Sequence, residues 1–273
     1  SHLWGSFTEA EDRIAIRKDL EGRLPAVKGK AWWAMGMATL AEFVRGEDTP
    51  DAQVRALALA EECAGAPSPG GLRCQRIAQE IRAPDFGLQA MSTDAPGKRS
   101  IGVEHRNLQA LHFRAYAMDL LQLIASSDEY RFYPSGRALD ALVASRKPTL
   151  VWKVDLPATP DYRMHRTFVT PPIQKSGFYV VVASAREDFG ERDNKVLATR
   201  IIVGDLVLLS RPAGDTLEVT VRSGSTGKAI PGATVDLYQF DWRSHHKKVA
   251  SERTDAAGVV TFRQDQPRGS NFL

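Results

Sequence analysis

No run of about 18 or more apolar residues occurs in the chain, so the sequence offers no candidate membrane-spanning helix. The richest apolar stretch, residues 31–44, is interrupted by Glu42 and has the period of a buried helix. Cysteine is nearly missing: Cys63 and Cys74 are the only two in 273 residues. Zinc usually takes about four ligands, and no second cysteine pair or nearby histidine accompanies these two, so a zinc module is excluded. A dominant charge is also lacking. The net charge is +3, from 36 Lys and Arg against 33 Asp and Glu. The cations are scattered among acids, as Arg13, Arg17 and Lys18 are beside Glu11, Asp12 and Asp19. Nucleic-acid binders collect their cations on one face, so this scatter reads as solvated surface and argues against a nucleic-acid partner.

Catalytic patterns are equally scarce. No Gly-x-Ser-x-Gly elbow stands between a strand and a helix. The segment Ser223-Gly224-Ser225-Thr226-Gly227 has the wrong spacing and leads into a strand. Thr226-Gly227-Lys228 also precedes a strand rather than a helix, so it is not a phosphate-binding loop. Glu61 and Glu62 lie on a helical pattern and read as its solvent face. His245 and His246, beside Asp241, invite a metal reading. Adjacent strand residues face opposite ways, however, and Arg243, Lys247 and Lys248 would repel a cation, so a solvated loop is expected. His105 and His112 lie seven apart near a bend and could approach across a hairpin, but no third ligand stands beside them. His165, in Arg163-Met164-His165-Arg166, has no evident partner. The expectation is therefore a chain with no catalytic, cofactor-binding or metal-binding residues, and hence not an enzyme.

What is present is ordinary globular material, 43% hydrophobic and 25% charged, enough for real cores in one to three domains. The first 83 residues read as helices. Thr8 with Glu11 forms a capping box opening a helix over residues 9–24, closed by Gly22 and Pro25. Trp33, Met37, Leu40 and Val44 recur at helical spacing, with Gly46 as the stop. Trp33 thus reads as core, and so does Trp32 beside it, rather than as a ligand site. Thr49-Pro50 predicts an N-cap and first helical residue, followed by a face of Val54, Leu57, Ala58 and Cys63. Residues 72–82 form a further helix carrying Ile77 and Ile81, closed by Pro84. Helices joined this closely pack as antiparallel hairpins. The spacing hints at tetratricopeptide-like stacking, but no clean 34-residue repeat is found. Cys63 and Cys74 flank the turn 65–71. A disulfide across this hairpin is the favoured reading, with two free buried thiols as the alternative.

After Pro84 the apolar period changes from 3.6 to 2. Ile101 and Val103 alternate with Gly102 and Glu104. Leu111, Phe113, Ala115 and Ala117 alternate with His112, Arg114 and Tyr116. The bend Arg106-Asn107-Leu108 between them gives a strand–turn–strand signal. A helix over residues 135–145 presents Leu139, Leu142 and Val143. Trp152, Val154 and Leu156 then alternate with Val151, Lys153 and Asp155, and residues 178–183 are apolar on both faces, as inside a sandwich. A second unit of about seven strands is expected over residues 84–203. A third, over 204–273, opens on residues 206–209 and a turn at Pro212-Ala213-Gly214-Asp215. Leu217, Val219 and Val221 follow in a half-buried strand. Pro231-Gly232 predicts a type II turn. Ala233, Val235 and Leu237 alternate beyond it, and residues 254–262 are a turn feeding another strand. The fold class expected is α+β and multidomain: N-terminal helical hairpins, then immunoglobulin-like antiparallel β-sandwich domains. Ser1-His2-Leu3 and the closing Phe272-Leu273 read as cut ends.

Three segments together carry a resemblance. LEVTVRSGSTGKAIPGATVDLYQF, followed by TDAAGVVTF, resembles modules of the bacterial alpha-2-macroglobulin family, with their Thr-Gly-Lys-x-x-Pro-Gly-Ala-x-Val and Thr-Asp-x-x-Gly-x-x-x-Phe turns. SGFYVVVASAREDF with KVLATRIIVGDLVLLSR is similar to the end of a preceding macroglobulin domain, and SIGVEHRNLQALHFRAYAMDL to its opening strands. The resemblance implies a periplasmic or secreted scaffold fragment of an inhibitor that entraps proteases, its partners being proteases, through the parent protein, and neighbouring domains. Many members acylate the attacker through a Cys-x-Glu-Gln thioester. Cys74 is followed by Gln75-Arg76 and Cys63 by Ala64-Gly65, so neither supplies one, and no bait region is evident. A cell-surface adhesion or envelope scaffold of stacked sandwich modules is the alternative reading.

Overall fold

A computed structural model describes residues 10–90, 100–127, 134–190, 192–243, 245–263 and 270–272. Thr8 of the expected capping box, Ser1-His2-Leu3 and Leu273 lie outside them. The architecture is α+β: helices come first, then antiparallel sheets arranged in a β-sandwich-like manner. The helical part contains α1 (Ala10–Arg23), α2 (Trp33–Arg45), α3 (Ala52–Cys63) and α4 (Pro69–Arg82), with a 3-10 turn at Leu24–Val27. Helix α2 packs against the other three. Its inward stripe is Trp33, Met37, Leu40 and Val44, as the spacing predicts, with Ala34, Ala38 and Ala41 between them. Trp32, expected in the core too, is 56% exposed: it precedes the first turn of α2 and falls off the inward stripe.

The face of α3 differs from the expected one. Ala52, Ala56, Leu57, Ala60 and Cys63 are buried, whereas Val54 and Ala58 face solvent. The buried stripe is made of short side chains because the helices approach closely, and weighting the bulkier valine misplaces it. The helix also begins at Ala52, after a turn in which the Ala52 N–H donates to the Thr49 carbonyl. Close approach likewise explains the start of α4, three residues earlier than expected. The Ser68 hydroxyl accepts from the Gly71 N–H at 3.3 Å, and Pro69 occupies the first turn, where a missing N–H costs nothing. Gly70 and Gly71 are therefore helical rather than part of the turn. A Cβ on Gly70 would lie 2.2 Å from the backbone nitrogen of Met35.

The strands are β1 (Asp85–Ala90), β2 (Ile101–Arg106), β3 (Ala110–Met118), β4 (Leu150–Asp155), β5 (His165–Val169), β6 (Gly177–Ser184) and β7 (Val196–Val203). They form sheets of order β1-β2-β5 and β4-β3-β6-β7. The strand–turn–strand signal around Asn107 is thus real, but β2 and β3 enter different sheets instead of forming a hairpin. Asn107 has φ 54°, a left-handed conformation that asparagine tolerates, and it turns the chain from one sheet into the other. Two helices follow β3: α5 (Leu120–Ser126), which the alternation pattern does not reveal, and α6 (Arg137–Ser145). Leu139 of α6 packs with Tyr116, Phe178, Val180 and Val182, while Phe113 stacks on Trp152 with ring centroids 5.0 Å apart. Strand β6 is apolar on both faces because a helix covers one of them. That cover also buries Tyr116, while Ala117, on the opposite face near the end of the strand, is exposed, the reverse of the expected alternation.

The remaining strands are β8 (Leu206–Ala213), β9 (Thr216–Ser223), β10 (Thr234–Asp241), β11 (His245–Arg253), β12 (Val259–Arg263) and β13 (Ser270–Phe272), in sheets β12-β9-β8 and β11-β10-β13. Leu217, Val219, Val221, Val235, Leu237, Val260 and Phe262 form their core. At about 1.5–3 kcal/mol per buried large aliphatic or aromatic side chain, this alternating set dominates the module's stability. Strand β8 continues through Pro212, which the edge position permits, and the turn shrinks to Gly214-Asp215. The chain divides into two compact units, one of Ser1–Phe86, Glu104–Gln109 and Pro157–His165, the other of Gly87–Val103, Ala110–Leu156 and Arg166–Leu273.

Replacing Gly70 with alanine places a methyl group against rigid backbone. The expected loss is about 1–3 kcal/mol by urea denaturation. Gly65→Ala, where nothing lies within 4 Å, serves as the control and should change stability by less than about 0.5 kcal/mol.

Candidate functional site

In the helical unit, Cys63 ends α3 and Cys74 lies on α4. Their sulfurs are joined at 2.06 Å with Cα atoms 5.9 Å apart, and both residues are fully buried. The bridge closes the segment carrying Ser68 and Gly70. Ion pairs tie the same helices at the surface: Arg73 with Glu42, Arg45 with Glu80, and Arg17 and Arg55 with Glu47. The carboxyl of Glu47 is raised by partial burial, yet its two arginine hydrogen bonds hold it below the usual range. Asn107 completes the unit. Its side-chain amide donates to the carbonyls of Ile81 (2.7 Å) and Ala83 (3.1 Å), which the end of α4 leaves without helical partners.

His105 and His112 do not converge. His105, on β2, has no solvent exposure, and neither ring nitrogen has a hydrogen-bond partner. His112 is half-buried on β3, a strand of another sheet. His165 does have a partner, contrary to the sequence reading: its Nε2 lies 2.8 and 2.9 Å from the Asp161 carboxylate oxygens. The missed signal is the Asp-x-x-x-His spacing at the entry to β5. Burial pushes the Asp161 carboxyl up, but the hydrogen bond with His165 leaves it below its ordinary range. His245 and His246 stand in strand β11 rather than in a solvated loop, opposite Asp241 and Phe240, and the His246 ring packs 4.7 Å from that of Phe240. Among the described residues, no group of three His, Cys, Asp or Glu side chains could hold a metal ion.

The hydroxyl-rich turn after β9 is tied to Asp205. The Ser223 hydroxyl donates to Asp205 Oδ2 at 2.6 Å, and the Ser225 N–H donates to Oδ1 at 2.8 Å. Those bonds, Ser223 first, hold the Asp205 carboxyl below the usual range. The hydroxyl is spent on anchoring the turn, not raised as a nucleophile.

The two turns that carry the family resemblance meet at one corner. Thr254 is 5% exposed; its hydroxyl donates to the Ile230 carbonyl at 2.7 Å and accepts from the Ala233 N–H at 2.9 Å. Its own carbonyl accepts from the Gly232 N–H at 2.9 Å, and its N–H donates to the Ala233 carbonyl at 3.0 Å. Gly232 has φ 72°, as the Pro-Gly turn requires. Asp255 Oδ1 accepts from the Ala257 and Val259 N–H groups at 2.8 and 2.9 Å. Gly258, φ 75°, passes its carbonyl to the Val221 N–H at 2.8 Å, while the Val221 carbonyl accepts from the Ile230 N–H at 3.0 Å. A Cβ on Gly258 would stand 2.7 Å from the Val221 oxygen. The polar side chains of Thr254 and Asp255 are therefore consumed in closing the corner.

Two measurements follow from these arrangements. Thr254→Val strands the Ala233 N–H and Ile230 carbonyl, and should cost about 1–3 kcal/mol by chemical denaturation, whereas Thr234→Val on the exposed face should be nearly neutral. Burial, with the nearby His165 charge as a lesser cause, lowers the His105 pKa. The unfolded chain then binds the proton more readily, so this stabilisation is complete above the unfolded value of about 6.5 and is lost as pH falls below it. Denaturation midpoints at pH 7.5 and 5.5 should show a loss that His105→Phe abolishes.

The sequence matches no protein-family model, and no curated protein matches it. Solved structures do. A crystal structure of native alpha-2-macroglobulin from Escherichia coli spanning domains NIE-MG1 aligns with a TM-score of 0.50 and 19% identity, over 67% of this chain and 88% of that one. A structure spanning domains MG0-NIE-MG1 aligns with the same score and identity, over 67% of this chain and 58% of that one. A Salmonella alpha-2-macroglobulin mutant matches with a TM-score of 0.43 and 15% identity, over 67% of this chain and 10% of that one. The resemblance carried by the sequence motifs thus extends to the fold: over two-thirds of its length, the chain is similar in architecture to the NIE-MG1 domains of a bacterial alpha-2-macroglobulin.

Proposed function

We propose that the chain is a non-catalytic scaffold segment of a bacterial alpha-2-macroglobulin-like protease inhibitor, acting in the periplasm or at the cell envelope. The similarity of fold to the NIE-MG1 domains carries this reading. The motif corner supports it, because residues that might have served chemistry are committed to backbone closure. In this reading residues 1–83 form a helical region, 84–203 a first macroglobulin-like domain and 204–273 a second sandwich module. They space and orient the parts of a longer chain that engage the protease, and the Cys63–Cys74 bridge suits an oxidising compartment. Among the described residues no helix is long and apolar enough to cross a membrane.

The purified 273-residue chain, mixed with proteases of several classes, should leave cleavage of a large protein substrate unchanged. The full parent protein should suppress it. Stoichiometric inhibition by the chain alone would contradict the scaffold role.

A further inference from the structure

His105 breaks the pattern of its own strand. The inward residues of β2 are Ile101, Val103 and His105, each with no solvent exposure, and the third ends an otherwise apolar row. Neither of its ring nitrogens has a hydrogen-bond partner. A neutral imidazole buried in this way forfeits the bonds that its nitrogens make in water, so phenylalanine or leucine would suit the packing better. Positions that break a local rule with no packing gain are where functional residues are expected. What imidazole alone adds here is a proton taken up just below neutral pH.

Two residues further on, the same segment holds the helices. Glu104–Gln109 and Pro157–His165 belong to one compact unit with α1 to α4. The Asn107 side chain caps the Ile81 and Ala83 carbonyls of α4, and its backbone N–H donates to Thr159 Oγ1 at 2.8 Å. Tyr162 packs against the helical core, and its N–H donates to the Thr159 carbonyl at 3.0 Å. Bringing His105 to water therefore means moving Asn107 and breaking these bonds.

The charges around His105 do not offer an imidazolium a partner. Asp161 is engaged by His165, and the charge of His165 acts against a second one at His105. On β2 itself, Glu104 and Arg106 alternate to the opposite face. On the neighbouring β1, Phe86 is the buried residue and Asp85 alternates away from it. At the end of α4 the inward residues are Ile77, Ala78 and Ile81, while Glu80 and Arg82 pair at the surface with Arg45 and Glu61. Arg163, between Asp161 and His165, is directed toward Asp48.

We propose that His105 is an acid-sensitive latch of the helical unit: neutral, it keeps segments 104–109 and 157–165 closed on the end of α4, and protonated, it leaves the core and takes the Asn107 caps with it. In the open segment the imidazole binds its proton at the ordinary value of about 6.5, whereas the closed segment resists protonation. Closure is therefore complete above that value and weakens as pH falls below it. One pH unit below, the open form should be populated up to about tenfold more than at pH 7.5. The opening is local, because the core of β3 and β6 contains no part of the latch.

Native-state hydrogen exchange of the 273-residue chain at pH 7.5 and 5.5, corrected for intrinsic rates, tests the latch. Protection of the Asn107 and Tyr162 amides should fall by roughly three- to tenfold on acidification. Their exchange at pH 5.5 should depend little on added denaturant, as a local opening does, whereas that of Val181 in β6 should depend on it steeply. In His105→Phe the fall at both amides should vanish. If that variant folds poorly, the unmodified chain decides: the His105 ring resonance should titrate together with the loss of protection. Four results would overturn the proposal. They are unchanged protection, a fall that persists in folded His105→Phe, exchange of Asn107 with the same steep denaturant dependence as Val181, and ring titration at the ordinary value with protection intact.

Discussion

A buried hydroxyl must find both a donor and an acceptor, and the Thr254 hydroxyl, on the connection between β11 and β12, finds both on the connection between β9 and β10. Its bonds to Ile230 and Ala233 are only the centre of the arrangement. The turns at Gly232 and Gly258 bring backbone groups to Thr254 and Val221 that neither sheet could satisfy by itself. Because a buried unpaired amide or carbonyl costs about 1–3 kcal/mol, the turns cannot separate without exposing several such groups together. The pairing of β9 with β12 and the entry of the chain into β10 depend on this closure. So does the alignment of the core alternation of Val219, Val221, Val235 and Leu237.

The helical unit solves the same problem with smaller parts. Close approach of α4 to α2 requires glycine at position 70, and close approach of α3 requires its alanine stripe. The Cys63–Cys74 bridge sits where these helices turn back on each other, and Asn107 caps the last carbonyls of α4 from a segment far away in sequence. Geometry, rather than bulk hydrophobicity, sets which residues occupy these positions.

Much of this was legible in the sequence. The helical stripe of α2, the alternation of β9 and β10 and the positive φ of Gly232 follow from periodicity and turn chemistry. The motif turns also pointed to a fold that the structure shares. Other features depend on partners that local pattern does not encode. The face of α3 escapes the pattern because small buried residues carry little hydrophobic signal. The β2–β3 pattern looked like a hairpin because alternation says nothing about which sheet a strand joins. Tyr116 is inward only because α6 covers that face. His165 finds Asp161 across one turn at the entry of β5, a spacing that is meaningful only once the local backbone conformation is known.

The motif corner supports the scaffold reading only if it opens as one structural unit. If it does, the amides of Val221, Ile230, Gly232 and Thr254 open only when the corner opens. Native-state hydrogen exchange under graded denaturant measures this directly. The account predicts that these four amides are protected and merge into one opening with a common free energy, close to that of the core amides of β9. Rapid exchange of Ile230 and Gly232 as independent loop amides, with Val221 protected alone, would contradict it.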